Sequence, residues 1–110
     1  MRLQLTTKQL LAAKNLLLEL KKFQDKRLGS VANVMVLKNN MLVNTIIIKY
    51  EKTYAMGGEF EREFSIASIN QEGTVDFIDK GFKDVFQKSA FLSECIPFDL
   101  EDTNSYQQID

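Results

Sequence analysis

The spacing of apolar residues near the start of the chain predicts an amphipathic helix. Its apolar positions recur every three or four residues, which places them on one side of a helix: Leu10, Ala13, Leu17 and Leu20. Thr6 and Gln9 have the spacing of a capping box, and Leu5 and Leu10 stand at the hydrophobic-staple positions around it. Basic residues followed by a glycine fit the other end. The pattern therefore predicts a helix over residues 7–28.

The next part of the chain predicts four strands and a second helix. Runs rich in β-branched and aromatic residues are separated by short polar or glycine-containing turns, which favours an antiparallel meander. The predicted strands cover residues 31–38, 41–55, 59–69 and 74–79, and the tight turn between the first two is Asn39-Asn40. The second helix is predicted over residues 81–95 from the spacing of Phe82, Val85, Phe86, Ser89 and Leu92.

These elements together give an α+β fold. We expect a four-stranded antiparallel β-meander flanked by an N-terminal and a C-terminal helix, in the order α-β-β-β-β-α. Residues 1–96 are expected to form this single domain. Residues 97–110 contain four acidic and no basic residues, and we expect an irregular tail there.

The turn Gly57-Gly58-Glu59-Phe60 resembles part of the GG(D/E)EF signature of the diguanylate cyclases. The acidic residue that precedes the final Glu-Phe in that signature has no counterpart here, and the order of elements differs. We therefore interpret this stretch as the turn of a hairpin, with the glycines supplying the backbone freedom that such a turn needs.

The register of this hairpin depends on whether Glu59 belongs to the loop. A loop of Gly57-Gly58-Glu59 places Met56 opposite Phe60 and makes one face of the sheet largely apolar. A turn at residues 70–73 continues that pattern into the fourth strand. The predicted core face contains Met35, Leu37, Leu42, Ile46, Ile48, Tyr50, Phe60, Phe64, Ile66, Val75 and Phe77.

Composition excludes several kinds of chemistry. The chain has no histidine and a single cysteine, Cys95, so it lacks the commonest general base, and a zinc site or a Cys-His nucleophile pair within the chain is not expected. We expect no catalytic residue, no metal and no cofactor. A lone cysteine favours a cytoplasmic location. No apolar run approaches the roughly 20 residues of a membrane-spanning helix, so we expect no membrane partner.

Charge is segregated along the chain. The first 28 residues carry a net charge of +5 and the remaining 82 carry -6. The basic stretch provides five candidate partner-binding residues: Lys14, Lys21, Lys22, Lys26 and Arg27. Three further candidates alternate on the third predicted strand: Glu59, Glu61 and Glu63. They share one face of that strand and could bind a basic partner or a divalent cation.

These observations favour a small non-catalytic protein-binding module, of the inhibitor, immunity or accessory-subunit type. It would act through its sheet face, its basic helix or its acidic tail. Leu11 and Leu18 exceed what one buried stripe needs, and the first hairpin is apolar on both faces, which favours a homodimer. A nucleic-acid-binding protein that uses the helix over residues 7–28 is the first alternative. A carboxylate enzyme with a divalent metal is the second.

Overall fold

The fold is described here from a computed structural model of the chain. It describes the backbone of residues 3–25, 29–37, 43–56 and 59–110, and the side chains of residues 3–21, 32–37, 43–51 and 64–110.

The described residues form seven strands, two α-helices and one 3₁₀ turn. In chain order they are β1 (Leu3–Leu5), α1 (Thr7–Asp25), β2 (Gly29–Leu37), β3 (Thr45–Met56), β4 (Glu59–Ile69), β5 (Val75–Phe77), a 3₁₀ turn (Asp79–Gly81), α2 (Val85–Ser93), β6 (Cys95–Pro97) and β7 (Tyr106–Gln108).

Five of the strands form one antiparallel sheet, in the order β5-β4-β3-β2-β6. The remaining two, β1 and β7, pair in parallel as a separate small sheet. The predicted α+β class is confirmed, and so are the two helices and the antiparallel meander from β2 to β5. The sheet differs from the prediction because a fifth strand, β6, follows the second helix and adds to the edge of β2.

The start of α1 shows the predicted capping box. The Thr6 hydroxyl accepts a hydrogen bond from the Gln9 N–H at 3.2 Å, and the Gln9 side-chain oxygen accepts one from the Thr6 N–H at 3.2 Å. Leu5 and Leu10 are both buried in the core beside it. The sequence spacing therefore located the beginning of this helix correctly, because a capping box satisfies backbone donors that the helix itself leaves unpaired.

Gln9 also joins the helix to the sheet. Its side-chain nitrogen donates to the carbonyl oxygens of Asn44 at 2.6 Å and Ile69 at 2.8 Å. These carbonyls lie just before β3 and at the end of β4, and the Gln9 side chain is fully buried. One side chain thus closes the capping box and fixes the helix over two strand ends.

The second helix is shorter than predicted, and its buried side differs. Asp84 caps α2, because its carboxylate accepts a hydrogen bond from the Gln87 N–H at 2.8 Å. The helix therefore begins at Val85, and Val85 and Phe86 are exposed rather than buried. Phe82 lies before the helix and packs against Phe91, with ring centroids 5.3 Å apart.

The predicted register of the β3–β4 hairpin is wrong by one residue. Met56 pairs with Glu59, where the prediction placed Met56 opposite Phe60, and Gly57 and Gly58 between them lie outside the described residues. Ala55 consequently pairs with Phe60, and Lys49 with Ile66. Because side chains alternate along a strand, a shift of one residue moves every side chain of β4 to the opposite face.

The other two connections are also displaced. Leu37 pairs with Thr45, so β3 begins four residues later than predicted, and the predicted Asn39-Asn40 turn lies outside the described residues. Ala67 pairs with Phe77, where the prediction placed Ile66 opposite Phe77. The single apolar face that the sequence predicted is therefore wrong.

Both faces of the large sheet are instead covered by helices. Ile46, Ile47 and Ile48 are all essentially inaccessible, although neighbouring strand residues point to opposite faces. Ile46 and Ile48 belong to a core that contains the buried side of α1. Ile47 belongs to a second core, with Ile66 and the α2 residues Phe91 and Leu92 packed around it. Within the described residues, the sheet is the middle layer of three.

The C-terminal segment, for which an irregular tail is expected over residues 97–110, contributes strand β7 and buried side chains to the fold. Phe98, Leu100 and Tyr106 are buried in the α1 core. The rings of Phe98 and Tyr106 meet edge to face, with centroids 5.5 Å apart. The Asp110 carboxylate accepts hydrogen bonds from the N–H and the hydroxyl of Thr7, in the first turn of α1. The acidic residues of the segment therefore do not indicate disorder, because Phe98 and Leu100 alternate with exposed Asp99 and Glu101 and are themselves buried.

The turn between β4 and β5 holds a glycine tightly against α1. The Asn70 side-chain oxygen accepts hydrogen bonds from the N–H groups of Glu72 at 3.0 Å and Thr74 at 2.9 Å. Gly73 between them has a φ of 81°. A Cβ atom at this glycine would lie 2.8 Å from the carbonyl oxygen of Lys8, which is closer than a real Cβ approaches.

We expect Gly73→Ala to lower the free energy of unfolding by about 2 kcal/mol, since it combines a left-handed backbone with a clash against α1. Urea unfolding followed by circular dichroism measures this change. Gly81→Ala is the matched control, because a Cβ there meets nothing within 4 Å, and we expect it to change stability by no more than about 0.5 kcal/mol. Equal losses at the two glycines would contradict the close approach of the turn to α1.

Candidate functional site

A concave surface lies along the edge of β2 in the described structure, and we call it the edge groove. It has a volume of about 740 Å³. Strand β2 forms its floor, α1 and the segment after β6 form one side, and β3 and α2 contribute the other. Residues that define it are Leu17, Ala32, Val34, Lys49, Leu92 and Phe98.

The edge groove exists because β6 covers only part of β2. Strand β6 pairs with Met35, Val36 and Leu37, and the Phe98 N–H then donates to the Val34 carbonyl oxygen at 3.0 Å. After Phe98 the chain leaves the strand line and turns into the α1 core. Within the described chain, no strand pairs with the outer side of Gly29–Asn33.

The backbone of Ala32 faces this open edge. In an antiparallel sheet the N–H and C=O of one residue point to the same side, and alternate residues point to opposite sides. Since the Val34 carbonyl faces β6, the N–H and C=O of Ala32 face the same side, beyond the end of β6. Unpaired strand edges of this kind accept hydrogen bonds from an added strand.

The edge groove has an apolar interior and charged borders. Ala32 and Val34 pack against the α1 core, and Leu17 and Phe98 stand above them. Asp99 and Glu101 lie on the border formed by the C-terminal segment, and both are exposed. Alternating side chains of an added strand would therefore meet apolar surface on one side and charge at the border.

Helix α1 presents an exposed flank on the side where Leu17 lines the edge groove. Its buried side is set by Leu10, Ala13 and Leu20, and Leu17 lies at one margin of that side, against the edge groove. At 100° per residue, the side chains of Lys21, Lys14 and Leu18 lie about 40°, 60° and 100° round the helix from Leu17. All three are exposed, Leu18 by 57%. Leu11, also 57% exposed, lies two turns earlier.

The sequence-predicted site residues are only partly assembled. Lys14 and Lys21 lie on the α1 flank just described, and Lys22 belongs to α1 with its side chain outside the described residues. Lys26 and Arg27 lie outside the described residues. Glu59, Glu61 and Glu63 belong to β4, and their side chains are likewise outside the described part. The predicted carboxylate site of Glu59, Glu61 and Glu63 therefore stays a prediction.

Sequence reasoning missed the edge groove itself. The apolar second face of the first hairpin, which favoured a homodimer, is covered by α1 and by the segment after β6. A signal for that segment was present in Phe98-Asp99-Leu100-Glu101, where apolar and acidic residues alternate. Such alternation is typical of a half-buried extended segment, but only the structure shows that it borders β2.

Two kinds of reactive group can be examined in the described residues, namely clusters of metal-binding side chains and the Cys95 thiol. No group of three or more acidic or cysteine side chains there could hold a metal ion. Burial raises the pKa of the Cys95 thiol, and the neighbouring Glu94 carboxylate raises it further. The Cys95 thiol donates to the Phe91 carbonyl oxygen at 3.6 Å. A thiol with a raised pKa is a poor nucleophile near neutral pH, which fits a packing role.

Comparisons with protein-family models, with curated proteins and with solved structures found no match to this chain. The described part of the chain also contains no helix that is long and apolar enough to cross a membrane.

Proposed function

We propose that this chain is a non-catalytic protein-binding module that takes up an extended polypeptide segment along the open edge of β2. The observation that carries the proposal is the edge groove, in which an apolar floor adjoins an unpaired stretch of strand backbone. Strand addition of this kind draws affinity from main-chain hydrogen bonds and specificity from the side chains around them.

The size of the open edge fits such a partner. Gly29–Asn33 is a five-residue stretch, and strands of three or more residues are common in sheets. An added strand would continue the line of β6 and would pair antiparallel to β2. Leu17 and Phe98 would contact its side chains on the α1 face, and Lys49 and Leu92 those on the α2 face.

The absence of histidine from the chain supports a role in binding rather than catalysis. The raised pKa of the Cys95 thiol supports it as well, because the one cysteine lacks the activation that a catalytic thiol needs.

Proline at Ala32 tests the proposal. Proline has no N–H to donate to an added strand, and it is tolerated at sheet edges where the N–H points outward. We expect tagged wild-type protein to retain a stoichiometric partner from nuclease-treated native lysate, identified by mass spectrometry, and Ala32→Pro to lose it. Ala32→Ser keeps the N–H and is the matched control, which should retain the partner.

Two results would count against the proposal. One is a partner that binds Ala32→Pro as well as it binds wild type, and the other is repeated failure to capture any polypeptide, an untagged copy of this chain included. Nucleic acid retained without nuclease treatment would favour the alternative function, since Lys8, Lys14 and Lys21 are exposed on α1. That binding should weaken steeply with salt and with Lys14→Glu combined with Lys21→Glu, and should not respond to Ala32→Pro.

A further inference from the structure

The two ends of the edge groove carry opposite charge. The C-terminal end of α1 lies near the start of β2, because only residues 26–28 separate Asp25 from Gly29. Exposed Lys21, one turn after the groove residue Leu17, therefore lies toward the end of the groove where β2 begins. Asp99 and Glu101 follow Phe98, whose N–H bonds to Val34, so they mark the end further along β2.

This arrangement is complementary to itself. When a strand edge pairs antiparallel with the same edge of a second copy, a two-fold axis relates the copies. The start of each β2 then lies opposite the later part of the other. Lys21 of each copy is brought toward Asp99 and Glu101 of its partner, so that both ends of the joint groove pair opposite charges.

The exposed flank of α1 fits the same geometry. A two-fold axis perpendicular to the sheet places both α1 helices on one face of the joined sheet, side by side across the junction. Leu18 follows the groove residue Leu17, about 100° further round α1, and is 57% exposed in the single chain. It is therefore placed to contact the partner's α1. Leu11, which is two turns further from the start of β2, is not.

We infer that the segment taken up by the edge groove is β2 of a second copy, so that two five-stranded sheets join into one continuous sheet. This inference rests on the proposed function, because it uses the same open edge. The backbone N–H and C=O of Ala32 would pair with those of Ser30 in the partner, since both residues face the open side of β2. In symmetric pairing of this kind each contact occurs twice, once on each side of the two-fold axis.

Sedimentation velocity and light scattering on purified protein test the inference. We expect wild type to form dimers at ~100 µM subunits or below, a range that suits a specific complex of moderate affinity. Ala32→Pro should be monomeric and Ala32→Ser dimeric. Leu18→Ser should weaken the dimer, and Leu11→Ser, a change at an equally exposed leucine, should not.

Charge exchange tests the same contact without altering the fold. Lys21→Glu alone should weaken dimerisation about tenfold or more, because it places like charges at both ends of the junction. Glu101→Lys alone should weaken it less, because Asp99 still faces Lys21. An equimolar mixture of the two single variants should recover dimers, since every junction in the mixed dimer then joins opposite charges. The double variant should recover them as well.

The outcomes separate this inference from the proposed function. Wild type that remains monomeric, or a dimer unaffected by both Ala32→Pro and the charge changes, overturns the inference. If wild type is monomeric but binds another protein, and Ala32→Pro loses that protein, the assignment of a second copy as the bound segment is wrong and the proposed function stands. If neither self-association nor the binding of another protein responds to Ala32→Pro, the inference and the proposed function both fail.

Discussion

Tyr106→Ala is expected to lower the free energy of unfolding by about 3–5 kcal/mol, the usual loss for truncating a buried aromatic side chain. Tyr106 lies in β7, is 8% exposed, and packs edge to face on Phe98. Its strand pairs with β1, so loss of the ring also loosens the contact between the two ends of the chain. A change of this size is a large part of the total stability of a small domain.

Gln107→Ala is the matched control for this prediction. Gln107 belongs to the same strand but is exposed, so its truncation should change stability by no more than about 0.5 kcal/mol. Urea unfolding followed by circular dichroism measures both variants. A loss below about 1 kcal/mol for Tyr106→Ala would show that the C-terminal segment is not part of the core in solution.

Gln9→Leu is expected to lower the free energy of unfolding by about 2–4 kcal/mol. The change removes three hydrogen bonds of a fully buried side chain and leaves the carbonyls of Asn44 and Ile69 without their donor. An unsatisfied buried polar group costs about 1–3 kcal/mol, and more than one is left here.

Gln9→Glu is expected to show a pH-dependent loss of stability. The introduced carboxylate has nearly the same shape, but it cannot donate and would face two carbonyl oxygens. Burial and this repulsion raise the pKa of the introduced carboxyl in the folded state. A group with a raised folded-state pKa destabilises the fold as pH rises above its unfolded-state pKa. The loss relative to wild type should therefore be larger at about pH 7 than at about pH 4.

Unfolding of wild type and Gln9→Glu in urea at the two pH values measures the difference. Gln107→Glu places a carboxyl at an exposed position of β7 and should show little difference between them. If the loss for Gln9→Glu were the same at both pH values, the side chain of residue 9 would not donate to the two strand ends in solution.

Local signals in the sequence predicted the start of α1 well. Thr6 and Gln9 contact each other across one helical turn, so their spacing alone carries the information. The tertiary role of Gln9 could not be predicted in this way. Its contacts with Asn44 and Ile69 join parts of the chain that are distant in sequence.

Strand register is where the sequence pattern failed. The predicted register aligns the large side chains on one apolar face. In the structure Ile46 and Ile48 face α1 whereas Ile47 and Ile66 face the α2 side. A sheet buried on both faces has no polar face to fix its register from the pattern of side chains.

The candidate site was predictable only in its parts. The basic side of α1 was visible from the lysines, and two of them, Lys14 and Lys21, are exposed on the helix whose Leu17 lines the edge groove. The groove itself depends on where β6 stops pairing with β2, which is after Pro97. No local pattern in β2 indicates that part of its edge is left open.

The sequence by itself determined the α+β class, the antiparallel strand succession and the capped start of α1, because hydrophobic periodicity and capping act over a few residues. Only the tertiary structure decided the register of each hairpin, the burial of both sheet faces and the place of the C-terminal segment. Those features depend on contacts between distant segments, such as Phe98 with Tyr106 and β1 with β7. The open edge of β2 follows from the same contacts, since burial of Phe98 and Leu100 draws the chain away from the strand it would otherwise extend.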